Sequence, residues 1–394
     1  MKKLFNYSFI LFLDKGLAFA LPLSILFITN NNTLYANLEA ALALSVILIP
    51  FLDFGIKYYV GYCYKQEGEK CFNRFNRLLI TLSFISLIVA IPLFLLSELF
   101  FIFVLAILRS VHINLYQYGQ IEGRLTEHLI SPILINLAAS FCALIMTLII
   151  YYSGGSDKYT LLSFFIISPM LFLFLNVRRF QLCSLFKFDY HHAIQFITKC
   201  LIFSAPAIFN TLLVVGFANL TKIYVLENFG ELEMVQYSFV FRLAMVIQMC
   251  HMAVSGYTCK FFLLSNDLRK MTSYYIIYMV ALFLVTLSIT VAVYILSDLV
   301  IYELLHFDLL LVMAFAYTLF WCFSSFFDFI YVRINKTKLM LVNSFVFFFT
   351  YILYYLFFGV MSPVSAAVGL FVSSVFMFMS NLILLWFNRK EIIV

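Results

Sequence analysis

The chain has 394 residues, of which 64% are hydrophobic and only 11% charged, with a formal net charge of +6. Soluble domains carry about 25% charged residues, so a soluble enzyme or nucleic-acid-binding domain is excluded and an integral membrane protein is expected. No P-loop, G-x-S-x-G or H-E-x-x-H pattern occurs in the sequence, which removes built-in ATP hydrolysis and the common hydrolase chemistries.

Apolar runs of helix-spanning length recur along the whole chain, and a helix needs about 20 such residues to cross the hydrocarbon core. The runs show no two-residue alternation, so the fold class is all-α and polytopic rather than a barrel. The first run, from Leu4 to Thr29, breaks its own pattern: Asp14 and Lys15 stand side by side near its middle, followed by Gly16 and Pro22. A charge at the centre of a membrane helix costs roughly 2.5–3.5 kcal/mol on insertion scales. Both charges therefore need compensation elsewhere in the fold. Lys2, Lys3 and Ala18-Phe19-Ala20 imitate a cleavable signal peptide. The run continues to Thr29 and is interrupted by the charged pair, so it reads as an uncleaved first span.

Further spans are expected over 38–63, 78–96, 99–118, 130–152, 160–177, 200–225, 235–258, 274–297, 309–330, 339–360 and 366–387, twelve with the first. The connection at Ser97 and Glu98 and the segment from Asp298 to Asp308 are the least sharply bounded. Lys and Arg collect on one side of these spans: Lys2, Lys3, Lys65, Lys70, Arg74, Arg77, Arg124, Arg178, Arg179, Lys187, Lys199, Lys260, Arg269, Lys270, Arg333, Lys336, Lys338, Arg389 and Lys390. The other side holds Lys158 and several acids. By the positive-inside rule both termini are cytoplasmic. Topology thus accounts for the net charge, and no nucleic-acid partner is implied.

The longest cytoplasmic connection, 178–199, mixes basic residues with Phe180, Leu182, Leu185, Phe186 and Phe188, a pattern suited to the membrane interface. It separates an N-terminal six-helix lobe (1–177) from a C-terminal six-helix lobe (200–394), each opening with a proline-containing helix (Pro22, Pro206). Parallel six-span repeats of this kind place the substrate path between lobes. The eight cysteines are scattered with no C-x-x-C pair, and adjacent His191 and His192 point about 100° apart on a helix. Buried thiols are expected, and neither a metal nor an organic cofactor.

Within the spans lie Asp14, Lys15, Asp53, Lys57, Arg109, Lys222, Arg242 and Asp328, with His112 and His251. Intramembrane charges mark pathways or paired sites. Asp53 and Lys57, spaced i, i+4, can pair on one helix; Lys222 and Asp328 lie where side chains can snorkel. Arg109 is too deep for that, and His112 and Tyr116 continue its stripe at i+3 and i+7. Arg242 and His251 point to opposite faces. Five cations against three carboxylates suit a lumen for an anionic cargo, and the guanidinium fork suits phosphate. The candidate cationic cavity comprises Lys15, Arg109, Arg242, Lys57, Lys222 and His112. Asp14 and Asp53 are the candidates for coupling to a proton or sodium ion.

With its first span LFLDKGLAFALPLSILF, a second span ending LIPFLDFGIKYYVGYCYKQ, a central basic loop and twelve spans in two halves, the chain resembles the Wzx-type O-antigen flippases. These form the polysaccharide-transport branch of the multidrug/oligosaccharidyl-lipid/polysaccharide exporter superfamily. The resemblance implies two six-helix lobes around a cationic cavity. The implied cargo is an undecaprenyl-pyrophosphate-linked oligosaccharide, flipped from the cytoplasmic to the periplasmic leaflet of a bacterial inner membrane by alternating access. It implies as partners the membrane lipids and the polymerase and chain-length machinery. A multidrug or cation antiporter of the same superfamily would favour an acidic cavity. An O-antigen polymerase or membrane glycosyltransferase would carry a large periplasmic loop, whereas every connection here is short.

Overall fold

The computed structural model describes residues 2–96, 100–126, 128, 130–176, 190–264, 268–297, 308–334, 336 and 338–388. Every regular element among them is helical. The chain divides into two compact units, Met1–Leu220 and Thr221–Val394. The first contains α1 (Lys2–Thr29), α2 (Asn32–Leu52), α3 (Ile56–Glu67), α4 (Lys70–Leu96), α5 (Phe101–Leu125), α6 (Ser131–Tyr152), α7 (Asp157–Leu175), α8 (Tyr190–Thr211) and a π-helical segment (Leu212–Gly216). The unit boundary falls inside α9 (Phe217–Phe229). The second unit continues with α10 (Glu231–Leu264), α11 (Leu268–Ser297), α12 (Leu309–Phe326), α13 (Asp328–Arg333), α14 (Lys338–Phe358) and α15 (Pro363–Phe387).

Among the described residues, 11 helices are long and apolar enough to cross a membrane. Helix is the form such runs must take, because the hydrocarbon core offers no partner to a backbone N–H or C=O. Helix α10, 34 residues long, covers the expected eighth span but is more polar, carrying Glu231, Glu233, Arg242 and His251. The basic segment 178–189, the Ser97–Glu98 connection and residues 298–307 lie outside the described residues. Of the expected interfacial stretch, residues from Tyr190 onward belong to α8.

The second span departs from expectation. Instead of running unbroken over 38–63, it is two helices, α2 and α3, parted at Asp53-Phe54-Gly55. Phe54 (φ 47°) and Gly55 (φ 76°) are both left-handed. Asp53 stabilises the turn by accepting from the Gly55 N–H at 2.8 Å, the local bond that makes aspartate a turn former. Hydropathy averages over such a break. The tenth span is likewise shorter than expected, since α12 ends at Phe326 and Asp328 opens α13.

Packing in the first unit is dominated by α2 on α5, α6 on α7, α4 on α5 and α1 on α6. Its core mixes Leu34, Leu38, Leu105 and Phe165 with the small residues Ala41 and Ala143, which let the backbones approach. At one end Asn31 caps α2 through the Leu34 N–H (2.9 Å) and donates to both Asp157 oxygens (3.1 and 3.0 Å), tying the start of α2 to the first turn of α7. In the second unit α12 and α14 pack on α15, whose buried face is Ala366, Ala367, Gly369, Ser373 and Ser374.

Candidate functional site

In the first unit the polar groups converge on one turn of α5. Asp14, on α1, is 2% exposed. Its Oδ2 accepts from the Tyr116 hydroxyl at 2.5 Å and its Oδ1 from the Asn136 amide of α6 at 2.6 Å. The Asn136 amide thus turns its nitrogen toward Asp14 and its oxygen toward His112. His112 Nε2, 2.7 Å from that oxygen, must then carry the proton. On the other side Gln120 donates to the Tyr116 oxygen at 2.6 Å. Two donor chains, His112–Asn136 and Gln120–Tyr116, thus end on one carboxylate. Lys15 Nζ lies 3.9 Å from Asp14 Oδ2 and 5.8 Å from the centre of the Tyr116 ring.

A second pair sits across the break in the second span. Lys57, in the first turn of α3, is 3.7 Å from Asp53 Oδ2, so the i, i+4 pair bridges two helices and does not lie along one. Lys57 Nζ donates to Gln117 Oε1 at 3.4 Å and stands 5.2 Å from the centre of the Tyr58 ring. Tyr58 in turn bonds Thr211 at 3.0 Å, next to the π-helical segment. Lys15 and Lys57 therefore flank adjacent residues of α5, Tyr116 and Gln117. Arg109, half-buried, lies eight residues from Gln117, about 12 Å along the axis of α5.

His112 is 1% exposed, packs with Tyr116 against Phe172 of α7 and supports Asp14 through Asn136. Lys222 and Arg242 belong to the second unit, where Lys222 is half-buried on α9 and Arg242 is 4% exposed on α10. His251 is held between Tyr278 (2.5 Å from Nδ1) and Ser325 (3.0 Å from Nε2).

Several contributors carry no charge and left no signal in a search for charges. Asn136 is one, and Gln117 and Gln120 are others. Glu39 is a different omission: it is a carboxylate fully buried in α2, one residue inside the expected span. Starting that span from the Asn31 cap would have exposed it. The second unit has an uncharged network as well. Asn343 donates to Asn381 Oδ1 (2.5 Å) and the Tyr331 oxygen (3.3 Å), Tyr331 donates to the same Asn381 oxygen (2.9 Å), and Ser380 donates to Asn343 (2.7 Å). It fastens α13, α14 and α15 together. Asn343→Leu takes the acceptor from the half-buried Ser380 hydroxyl and one donor each from Asn381 Oδ1 and Tyr331, which keep only their bond to each other, at about 1–3 kcal/mol. It is expected to lower the thermal midpoint clearly, and Ser380→Ala to lower it less, in a detergent unfolding assay.

No protein-family model and no curated protein matches the chain. Solved structures do match. The lipid II flippase MurJ in an inward closed conformation superposes with a TM-score of 0.61 at 16% identity, over 98% of this chain and 89% of that one. A multidrug resistance MATE family transporter of the MOP superfamily, inward-facing, gives 0.59 at 12% identity over 100% of this chain and 94% of that one. The Vibrio cholerae MATE transporter VcmN, in a mutant form, gives 0.56 at 12% identity over 99% and 100%. An outward-facing MATE transporter scores 0.59, the same as the inward-facing one, so the likeness does not select a conformational state. The chain has the polytopic, all-helical fold that MATE transporters and the flippase MurJ share.

Proposed function

We propose that this protein is a flippase for an undecaprenyl-pyrophosphate-linked oligosaccharide, moving it by alternating access from the cytoplasmic to the periplasmic leaflet of a bacterial inner membrane, with both termini cytoplasmic. One observation carries the choice of an anionic cargo. In the two described ion pairs beside α5 the cation is the outer member: the side chains of Lys15 and Asp14 are 32% and 2% exposed, and those of Lys57 and Asp53 15% and 3%. The carboxylates lie beneath, so what a cargo meets is positive. Two ammonium groups flanking Tyr116 and Gln117, with the Arg109 guanidinium further along α5, are suited to a diphosphate.

An organic-cation antiporter would need the reverse order, with an accessible carboxylate. That reading has the support of the MATE neighbours' fold; the burial of Asp14 and Asp53 argues against it. The flippase reading agrees with the function printed for MurJ, and all the neighbours named are transporters or flippases rather than enzymes. Asp14 and Asp53 are the groups to which we assign ion coupling.

The test is reconstitution in liposomes with a fluorescent polyprenyl-diphosphate oligosaccharide, reading how fast inner-leaflet label becomes accessible to an impermeant reductant. Acceleration by the protein is expected. Lys15→Ala and Lys57→Ala each remove a charged hydrogen bond of about 1.5–3 kcal/mol, hence a loss of roughly 10–100-fold. Transport of an organic cation with no movement of the lipid would overturn the assignment.

A further inference from the structure

A crevice unrelated to the charged site runs between α4, α5 and α7. It encloses about 290 Å³, and every residue lining it is apolar, Leu87, Ile91, Leu108, Ile166, Pro169 and Leu173 among them. Water has no hold there, since a buried water needs two to four polar partners. A sugar or phosphate is excluded for the same reason, because its polar groups would be stranded. Proteins rarely leave such space empty when hydrocarbon can reach it. Here it can, because all three helices are membrane spans and the lining includes exposed side chains, Ile91 (61% exposed) and Met170 (53%).

The dimensions narrow the occupant. The wall on α7 extends from Leu162 to Leu173, about 16 Å at 1.5 Å per residue, close to half of the ~30 Å hydrocarbon core. That is the depth of one leaflet and the reach of one acyl chain. On α4 the lining residues lie toward the Leu96 end and on α5 toward the Phe101 end, and the α7 wall continues from Leu162 to Leu173, near the end of that helix. Small Ala90 and the interior proline Pro169 shape it: the first leaves space where a leucine would fill it, and the second removes a helical N–H at its wall.

We infer that this crevice is a binding site for an acyl chain of a bilayer phospholipid. The site does not depend on what the protein transports. It holds the chain longer than bulk lipid holds its neighbours and fastens α4 to α7 through a lipid rather than through side chains.

Fluorescence quenching tests this in the full-length protein, because the chain has two tryptophans, Trp321 and Trp386, and both are in the second unit. With both changed to phenylalanine, single tryptophans are introduced by Ile91→Trp at the mouth or by Ile88→Trp on the adjacent lipid face. The protein is reconstituted with phosphatidylethanolamine carrying brominated chains. Quenching at position 91 is expected to saturate at a several-fold lower fraction of brominated lipid than at position 88. Ala90→Phe, which fills the crevice, is expected to abolish the difference, and Leu173→Phe serves if that variant does not accumulate. Identical curves at both positions would overturn the site. So would relief of position-91 quenching by a few mole per cent of unlabelled polyprenyl diphosphate, which would give the crevice to the cargo's tail.

Discussion

Gly55→Ala is expected to destabilise the protein severely and to abolish transport. At φ 76° an alanine pays the left-handed penalty of about 1–2 kcal/mol. Its Cβ would also fall onto the Ser204 Cβ, 2.8 Å from Ser204 Oγ and 3.1 Å from Ile208 Cδ1. Overpacking of that kind adds about 1–3 kcal/mol. Ser204 cannot simply turn away, because its hydroxyl donates to the Gly55 carbonyl at 2.9 Å, alongside the Tyr58 N–H at 3.0 Å. The close approach of α8 to the break is therefore a consequence of having no side chain at position 55. Gly154→Ala supplies the control: it shares the left-handed backbone (φ 83°) but has nothing within 4 Å. The difference between the two variants in thermal midpoint isolates the contact with Ser204 from the backbone term. Equal loss in both would mean that the joint between α3 and α8 bears no load.

What could be read in one dimension was charge set against hydrophobicity. Asp14, Lys15 and Lys57 stand out in their runs because a charge among leucines is expensive, and the structure places them around one turn of α5. Asn136, Gln117 and Gln120 are cheaper to bury and do not stand out, although Asn136 supplies one of the two short bonds to Asp14. Nor can spacing show that α1 meets α6, since Asp14 and Asn136 are 122 residues apart in sequence. The helix break was present in the residues as Asp-Phe-Gly, a turn former before a glycine. It was hidden because an average over a membrane-length window weighs hydropathy and not backbone conformation. Within the stripe of Arg109, His112 and Tyr116 the surroundings differ, since His112 and Tyr116 share Phe172 and Arg109 is half-buried. Three residues along a helix turn the side chain by about 300°. That 60° difference separates a half-buried arginine from a histidine enclosed by α6 and α7.

The same geometry sets the expectation for Asp14. In Asp14→Ala the Tyr116 hydroxyl and the Asn136 amide lose their acceptor inside the fold, at about 1–3 kcal/mol each. The protein should be less stable and inactive. Asp14→Asn preserves volume and one acceptor oxygen, so it should insert and fold with a smaller loss, yet it carries no ionisable group and no charge to hold Lys15. If Asp14 couples cargo movement to an ion gradient, the asparagine variant still exchanges labelled for unlabelled lipid-linked oligosaccharide across equilibrated liposomes. An imposed proton or sodium gradient then no longer biases the distribution of cargo. If Asp14 serves only to fasten α1 to α5 and α6, both activities fall together and in proportion to the loss of stability. Tyr116→Phe separates the cases further, because it removes one donor while leaving the carboxylate. Gradient-driven accumulation should survive that change, at reduced rate, under the coupling role.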